Sequence, residues 1–356
     1  MNIVYLISYA GAGGTEKYVR SLMETFTAQG HRCHLVYAEK GELSQWAEEN
    51  GFRTKRLDMR PRKSITAAGK LADYCREENI DIIHAQYPRE NLIALRAKKL
   101  CGSAVVFTGH LTIKQGGAWK TANRLFAVQD DAVIAVSTAT AQQMRRNGFP
   151  KDKITVIPNG VPVPTIGCAE DAARPCTFIS LARFAPEKGL EVLLDACERL
   201  KEKSKLPFRC LVYGEGGLLE PIRAAAKARR LEDVYLCPGY TNTPLEALAK
   251  ADVYVSSAVC NEAMSLAALE AMQLGMPIVM TRVGAGEELA EGVGLSVVAG
   301  DEAALCEAMK TLLEDVGLRT ELGKKAMERA RREYTLTRMA ENTCKLYEDV
   351  LSFRGK

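Results

Sequence analysis

The chain alternates short, unbroken apolar runs with amphipathic stretches, and it does so in two successive series. In the first series the runs fall at residues 2–8, 34–38, 81–85, 104–108, 132–136 and 154–157. Helical patterns lie between them, at 15–29 closed by Gly30 and at 43–50 closed by Gly51. Apolar runs of this length without polar alternation fit parallel strands buried on both faces. Joined by right-handed crossovers, they give an open, doubly wound sheet. The pattern breaks at 158–175, where Pro158, Gly160, Pro162, Pro164, Gly167 and Pro175 mark a linker. It then restarts, with runs at 176–182, 208–213, 234–237, 253–256, 277–281 and 295–298. Helical patterns at 190–203, 218–228, 243–250 and 265–274 separate them, and those at 302–315, 318–334 and 336–351 close the chain. The expected fold class is α/β: two Rossmann-like, doubly wound domains facing across a cleft, residues 1–165 and 166–335. Ligands of such sheets bind at the carboxyl ends of the strands.

Composition narrows the function classes. Of 356 residues, 47% are hydrophobic and 26% charged, which excludes a disordered or collagen-like chain. No apolar run reaches the ~18–20 residues of a membrane-spanning helix. The first run lacks a basic leader and enters a glycine-rich turn, so no secretory signal is expected. The 11 cysteines are scattered, without a CxxC pair or zinc-finger spacing, as expected of a reducing, cytoplasmic compartment. Cys33, Cys197, Cys210, Cys237 and Cys260 lie in apolar patterns and are expected to be small buried hydrophobes. Charge is uneven: residues 1–165 hold 23 Lys+Arg against 15 Asp+Glu, and the remainder 25 against 29. Arg53, Lys55, Arg56, Arg60, Arg62 and Lys63 are opposed only by Asp58. Such a stretch reads as a solvated loop and surface helix, or as a face for an anionic membrane or polyanion. Without interleaved aromatics or a nucleic-acid module, no nucleic acid is expected as a partner.

Three loops carry the chemistry. Ala10-Gly11-Ala12-Gly13-Gly14-Thr15-Glu16 follows the first strand and precedes a helix. It reads either as a plain tight turn or as a place where backbone amides meet an anion. It is neither a P-loop nor GxGxxG, which disfavours a nicotinamide dehydrogenase. In the second loop, Arg183 and Lys188 follow the first strand of the second series, suited to a diphosphate or simply solvated. In the third, Glu262 precedes a helix whose apolar pattern contains Glu270, with Met264, Ser265 and Leu266 at its start. A carboxylate on the core side of a helix is costly unless it meets a partner.

Together these residues resemble the retaining GT-B glycosyltransferases of family 4, over nearly the whole chain. Glu262 and Glu270 resemble the family's E-x7-E signature, and Arg183-x4-Lys188-Gly189 its diphosphate clamp. Gly13-Gly14 with Glu16 resembles its glycine loop. Asp81-Ile82-Ile83-His84-Ala85 and Pro158-Asn159-Gly160-Val161 resemble further markers. Gly214-Glu215-Gly216 resembles its GxG loop, and Pro238-Gly239-Tyr240 the segment beside the nucleobase. The resemblance implies a metal-independent transfer from a nucleotide diphosphate sugar, with no cofactor, to a glycan, lipid-linked or small-molecule acceptor. It implies that Glu270 grips the ribose, Glu262 a donor-sugar hydroxyl, and Arg183 and Lys188 the diphosphate. Gly13 and Gly14 would approach the phosphates, and His110 the donor sugar. It also implies that the final helix, 336–356, crosses back onto the first domain.

The chain departs from the family where Glu262-Ala263-Met264-Ser265 replaces the usual Glu-Gly-Phe-Gly, and where Pro162 replaces the usual acid after Asn-Gly-Val. Losing two glycines removes easy backbone approach. The Ser265 hydroxyl is one candidate replacement for a lost backbone contact. Asp130-Asp131 reads as a turn rather than a metal-binding pair. A nucleotide-sugar epimerase and a binding protein without transferase activity are the alternative readings. The basic stretch 53–63, and Lys114 to Arg124 with Trp119, raise an anionic membrane as a peripheral contact on the inner face.

Overall fold

The computed structural model describes residues 1–110, 116–166, 174–260 and 262–354. Lys114, Gly167, Cys168 and Asn261 lie outside them. The chain divides into two compact units, Met1–Asn159 with Leu336–Lys356, and Gly160–Thr335.

The first unit runs β1 (Asn2–Tyr9), α1 (Gly14–Ala28), β2 (Arg32–Glu39), α2 (Glu42–Glu49), β3 (Arg53–Arg56), α3 (Ser64–Glu77) and β4 (Ile82–Ala85). It continues α4 (Pro88–Cys101), β5 (Ala104–Gly109), α5 (Gly117–Phe126), β6 (Ala132–Ala135), α6 (Thr138–Arg146) and β7 (Ile154–Val156). The second runs β8 (Cys176–Leu181), α7 (Leu190–Lys203), β9 (Phe208–Tyr213), α8 (Leu219–Ala228), β10 (Tyr235–Gly239), α9 (Pro244–Ala249) and β11 (Val253–Ser256). It ends α10 (Leu266–Gln273), β12 (Ile278–Thr281), α11 (Gly286–Ala290), β13 (Gly294–Val297), α12 (Glu302–Glu314) and α13 (Val316–Glu333). The last helix, α14 (Leu336–Arg354), returns to the first unit.

Each unit holds one parallel sheet, ordered β3-β2-β1-β4-β5-β6-β7 and β10-β9-β8-β11-β12-β13. This is the Rossmann-like order, with its reversal between β1 and β4 in one unit and between β8 and β11 in the other. The apolar character of β1 follows from its position. Ile3, Tyr5 and Ile7 pack into a layer with α1 and α14, while Val4 and Leu6 pack into the opposite layer with α3 and α4. A strand covered on both faces has no polar side to alternate with.

Three expectations need correction. Residues 53–56 form the edge strand β3, paired with β2 from His34↔Arg53 to Tyr37↔Arg56, rather than a loop or helix. An edge strand is held by backbone bonds on one side only and tolerates charged side chains. The division falls between Asn159 and Gly160, ahead of 165/166, because the Val161 N–H donates to Tyr334 O (3.0 Å) and ties the incoming chain to the second unit. Cys33, Cys197 and Cys210 are buried, but Cys237 is half-buried at the edge strand β10 and Cys260 is exposed.

Candidate active site

In the second unit the candidate residues gather at the carboxyl ends of β8 and β11, where strand order reverses. After β8 the chain passes Arg183 and makes a single tight turn over Pro186–Lys188. Gly189, at φ +58°, lets it enter α7. A Cβ there would lie 2.2 Å from the Ser257 carbonyl oxygen, so the loop after β8 rests directly on the loop after β11. Two bonds lace them: Ser257 Oγ donates to Lys188 O (3.0 Å), and the Val259 N–H donates to Glu187 O (2.9 Å). Thus Lys188 Nζ and the Glu262 carboxylate form an ion pair. Arg183 is mostly exposed and pairs with Glu187 (2.7 Å). The GxG loop supports this arrangement from β9: the Phe184 N–H donates to Glu215 O (2.8 Å), and the Leu218 N–H to Phe184 O (3.0 Å).

Glu262 is set by a residue that the sequence reading passed over. Gly284, after β12, has φ +54°, and a Cβ on it would lie 1.5 Å from the Glu262 carbonyl oxygen. The Ala285 N–H then donates to Ala263 O (3.1 Å), clamping the loop. The available signal was the Val283-Gly284-Ala285-Gly286 run directly after a strand.

Ser265 caps α10, its Oγ accepting from the Ala268 N–H (3.3 Å) and lying 3.3 Å from Tyr254 Oη. The hydroxyl therefore serves the helix start. Met264 and Ser265 are buried, Leu266 begins α10 half-buried, and Glu270 is half-buried on that helix rather than sunk in the core. Tyr254, on β11, feels both acids: burial first, then the charges of Glu262 and Glu270, push its phenol upward. Gly239 ends β10 and accepts from the Gly214 N–H (2.9 Å); Tyr240 beside it is 60% exposed. The structure therefore joins Lys188 directly to Glu262, and places Glu270 in the electrostatic reach of Tyr254.

The remaining candidates belong to the first unit. Gly13 caps α1 with extended backbone, Gly14 opens the helix, and Glu16 is buried in its first turn. Asp130 is buried and accepts from Asn91 Nδ2 (3.2 Å), while Asp131 pairs with Lys98 (2.7 Å); both serve the fold. His110 follows β5. Its Nε2 lies 2.8 Å from Gln86 Oε1, and Gln86 Nε2 donates to His84 O (3.1 Å). That second bond fixes the amide, so Oε1 must accept and His110 Nε2 carries the hydrogen. Burial pushes the His110 ring down to about 3, so it is neutral and Nδ1 holds the lone pair. Tyr18 packs edge-on against it, with ring centroids 4.8 Å apart. Behind it, His84 bridges Thr108 Oγ1 and Tyr347 Oη, both at 2.6 Å.

Residues 12–163 match the family model described as Glycosyltransferase Family 4, and residues 171–329 the one described as Glycosyl transferases group 1. The chain belongs to the family 4 glycosyltransferases. It is a nucleotide-sugar-dependent transferase of the GT-B fold class. This glycosyltransferase is 30% identical over 190 residues to a putative colanic acid biosynthesis glycosyltransferase, WcaL, of Escherichia coli, an alignment spanning 50% of this chain and 47% of that protein. It is 25% identical over 369 residues to the phosphatidyl-myo-inositol mannosyltransferase of Mycobacterium leprae, covering 98% of this chain and 96% of the other. Among solved structures, Anabaena Alr3699/HepE in complex with UDP superposes with a TM-score of 0.87 at 17% identity, covering 98% of this chain and 100% of that one.

Proposed function

We propose that this glycosyltransferase is retaining and metal-independent, and moves a sugar from a nucleotide diphosphate sugar to a lipid-linked or envelope glycan acceptor. Glycosyl transfer in general must stabilise a departing diphosphate and a cationic sugar. Arg183 and Lys188 neutralise the leaving diphosphate, one as a planar fork and one as a point charge. Glu270 grips the ribose hydroxyls. Glu262 holds a donor-sugar hydroxyl, and Tyr240 with Gly239 flanks the base. Gly13 and Gly14 allow close backbone approach to the phosphates, while neutral His110 presents its Nδ1 lone pair to the sugar. With attack on the same face as the leaving group, no enzyme nucleophile is needed.

The observation that carries this reading is the Lys188–Glu262 ion pair at the strand-order reversal of the second sheet. A nucleotide diphosphate sugar offers an anion to the one and a hydroxyl to the other. Similarity to a colanic acid biosynthesis glycosyltransferase and to a phosphatidyl-myo-inositol mannosyltransferase supports an envelope or lipid-borne acceptor, and with it a cytoplasmic site of action at the inner membrane face. Turnover of UDP-, GDP- and ADP-sugars by Lys188→Ala and Glu270→Ala tests the assignment. Each variant is expected to lose at least about 100-fold in kcat/KM, roughly the worth of a charge-assisted contact made in the transition state. Wild-type turnover by both refutes it.

A further inference from the structure

Two cysteines that no motif links in the sequence meet at the amino ends of the first sheet's strands. Cys75 stands in the last turn of α3, and Cys101, 26 residues further on, is the last residue of α4. The two helices pack against each other. Both close where the chain turns back toward the sheet, α3 through Asn79 at φ +51° and α4 through Gly102 at φ +83°. Their ends are tied by a chain of bonds. Arg76 Nη1 donates to Leu100 O (3.0 Å). The Ile80 N–H donates to Cys75 O (2.8 Å), and Ile80 O accepts from Ser103 Oγ (2.8 Å). Ser103 Oγ in turn lies 3.3 Å from Cys101 Sγ. Among these contacts the two thiols hydrogen-bond to each other, and both are free.

The two differ in access. Cys75 is buried, whereas Cys101 is half-buried beside the exposed Leu100. The hydrogen bond from Cys75 holds the Cys101 thiol below its ordinary range, against the opposing pull of burial; the same bond, and burial behind it, push Cys75 up. A reachable sulfur that ionises readily, in contact with a sheltered one, is the arrangement of an oxidisable thiol with its resolving partner. The other hydrogen-bonded thiols, Cys197 and Cys210, differ in being fully buried together in the core of the second unit.

We propose that Cys75 and Cys101 form a peroxide-sensitive pair that closes into an intramolecular disulfide and staples α3 to α4. The Cys101 sulfur attacks one oxygen of hydrogen peroxide: an S–O bond forms, the O–O bond breaks, and the leaving hydroxide takes up the thiol's proton as water. The Cys75 sulfur then attacks the sulfenic sulfur: the S–S bond forms, the S–O bond breaks, and the second oxygen leaves as water with the Cys75 proton. Two thiols give up two electrons, and one peroxide becomes two waters. In a reducing compartment the pair rests as thiols and the staple is transient. The bridge encloses β4 and α4, restricts the unfolded chain and so stabilises the first unit. It lies at the amino ends of β4 and β5, whereas Gln86 and His110 follow the carboxyl ends of the same strands, and the proposed transfer reaction does not depend on it.

Titration of the full chain with hydrogen peroxide tests it, in a Cys260→Ser background that removes the exposed thiol. After blocking with N-ethylmaleimide, peptide mass spectrometry is expected to show the loss of two alkylatable thiols and one cross-linked peptide joining Cys75 to Cys101, both reversed by dithiothreitol. Oxidation is expected to raise the melting temperature of the first unit by roughly 5–10 °C. Cys75→Ala is expected to form no bridge and to leave Cys101 as a sulfenic acid that dimedone traps. Cys101→Ala is expected to keep Cys75 reduced and to show no rise in melting temperature. Full alkylation of both thiols at a peroxide level that oxidises Cys260 of the unsubstituted chain overturns the proposal. So does a bridge that forms only in urea, a bridge from either thiol to a different cysteine, or dimedone trapping of Cys101 that is equal with and without Cys75.

Discussion

At the scale of single residues, Gln86 decides how His110 presents itself. A neutral imidazole has two tautomers, and the one observed follows from an amide whose nitrogen is already committed to His84 O. Gln86 is itself buried, so water does not replace its oxygen when it is removed. Gln86→Leu keeps the volume and deletes the acceptor. In the proposed site, kcat is expected to fall about 10–100-fold with KM little changed, the range of one buried hydrogen bond left unmade. Nitrogen NMR of the ring is expected to show the Nε2–H form alone in wild type and a tautomer mixture in the variant. An unchanged ring spectrum removes Gln86 from the account. Gly284 makes the complementary point. Its importance lies in the space it leaves for the Glu262 carbonyl.

At the scale of elements, α14 contributes a buried tyrosine to the first sheet. Tyr347 Oη meets His84 Nδ1, and the ring lies among Phe26 and the other residues of that layer. Tyr347→Phe leaves His84 Nδ1 without its partner and is expected to cost about 1–3 kcal/mol in urea unfolding. The burial of His84 makes stability depend on pH. Burial pushes His84 from 6.5 down to about 3, so between those values the unfolded chain binds a proton that the folded chain refuses. Stability is therefore expected to be full above about pH 6.5 and to fall as pH drops toward 3. A flat profile over that range contradicts a neutral, buried His84.

Elements of this kind also show what the sequence could reveal. β1 was legible because a strand buried on both faces is apolar throughout. Arg183, Lys188 and Glu262 stood out as candidates because charges at strand ends interrupt such runs, and Glu270 because it interrupts the apolar pattern of α10. β3 was hidden because Arg53-Thr54-Lys55-Arg56 carries no apolar signal, its strand character coming from backbone pairing with β2. The capping role of Ser265 and the clamp of Gly284 on Glu262 were hidden for a related reason. Both depend on contacts made in the folded chain, and Gly284 lies a full strand beyond the loop it holds.

At the scale of the whole molecule, the side chains proposed to grip the diphosphate and ribose, Arg183, Lys188 and Glu270, all lie in the unit Gly160–Thr335, and the first unit offers the phosphates only backbone at Gly13 and Gly14. Saturating nucleotide diphosphate sugar therefore binds that unit's native state and is expected to stabilise it by about 2.7 kcal/mol at 100 times its Kd. Two unfolding transitions are expected by calorimetry, with the donor raising chiefly one of them. Hydrogen exchange is expected to assign that one to β8–β13. Equal protection of both units would give Gly13, Gly14 and His110 of the first unit an equal share in donor binding.

The return of α14 has a consequence for synthesis. A ribosome delivers β1 to β7 early, but the helix that covers one side of their sheet is made after the whole of the intervening unit. Until then Phe26 and its neighbours face water and His84 Nδ1 lacks its tyrosine, so the nascent first half must wait, partly bare, for α14 to emerge.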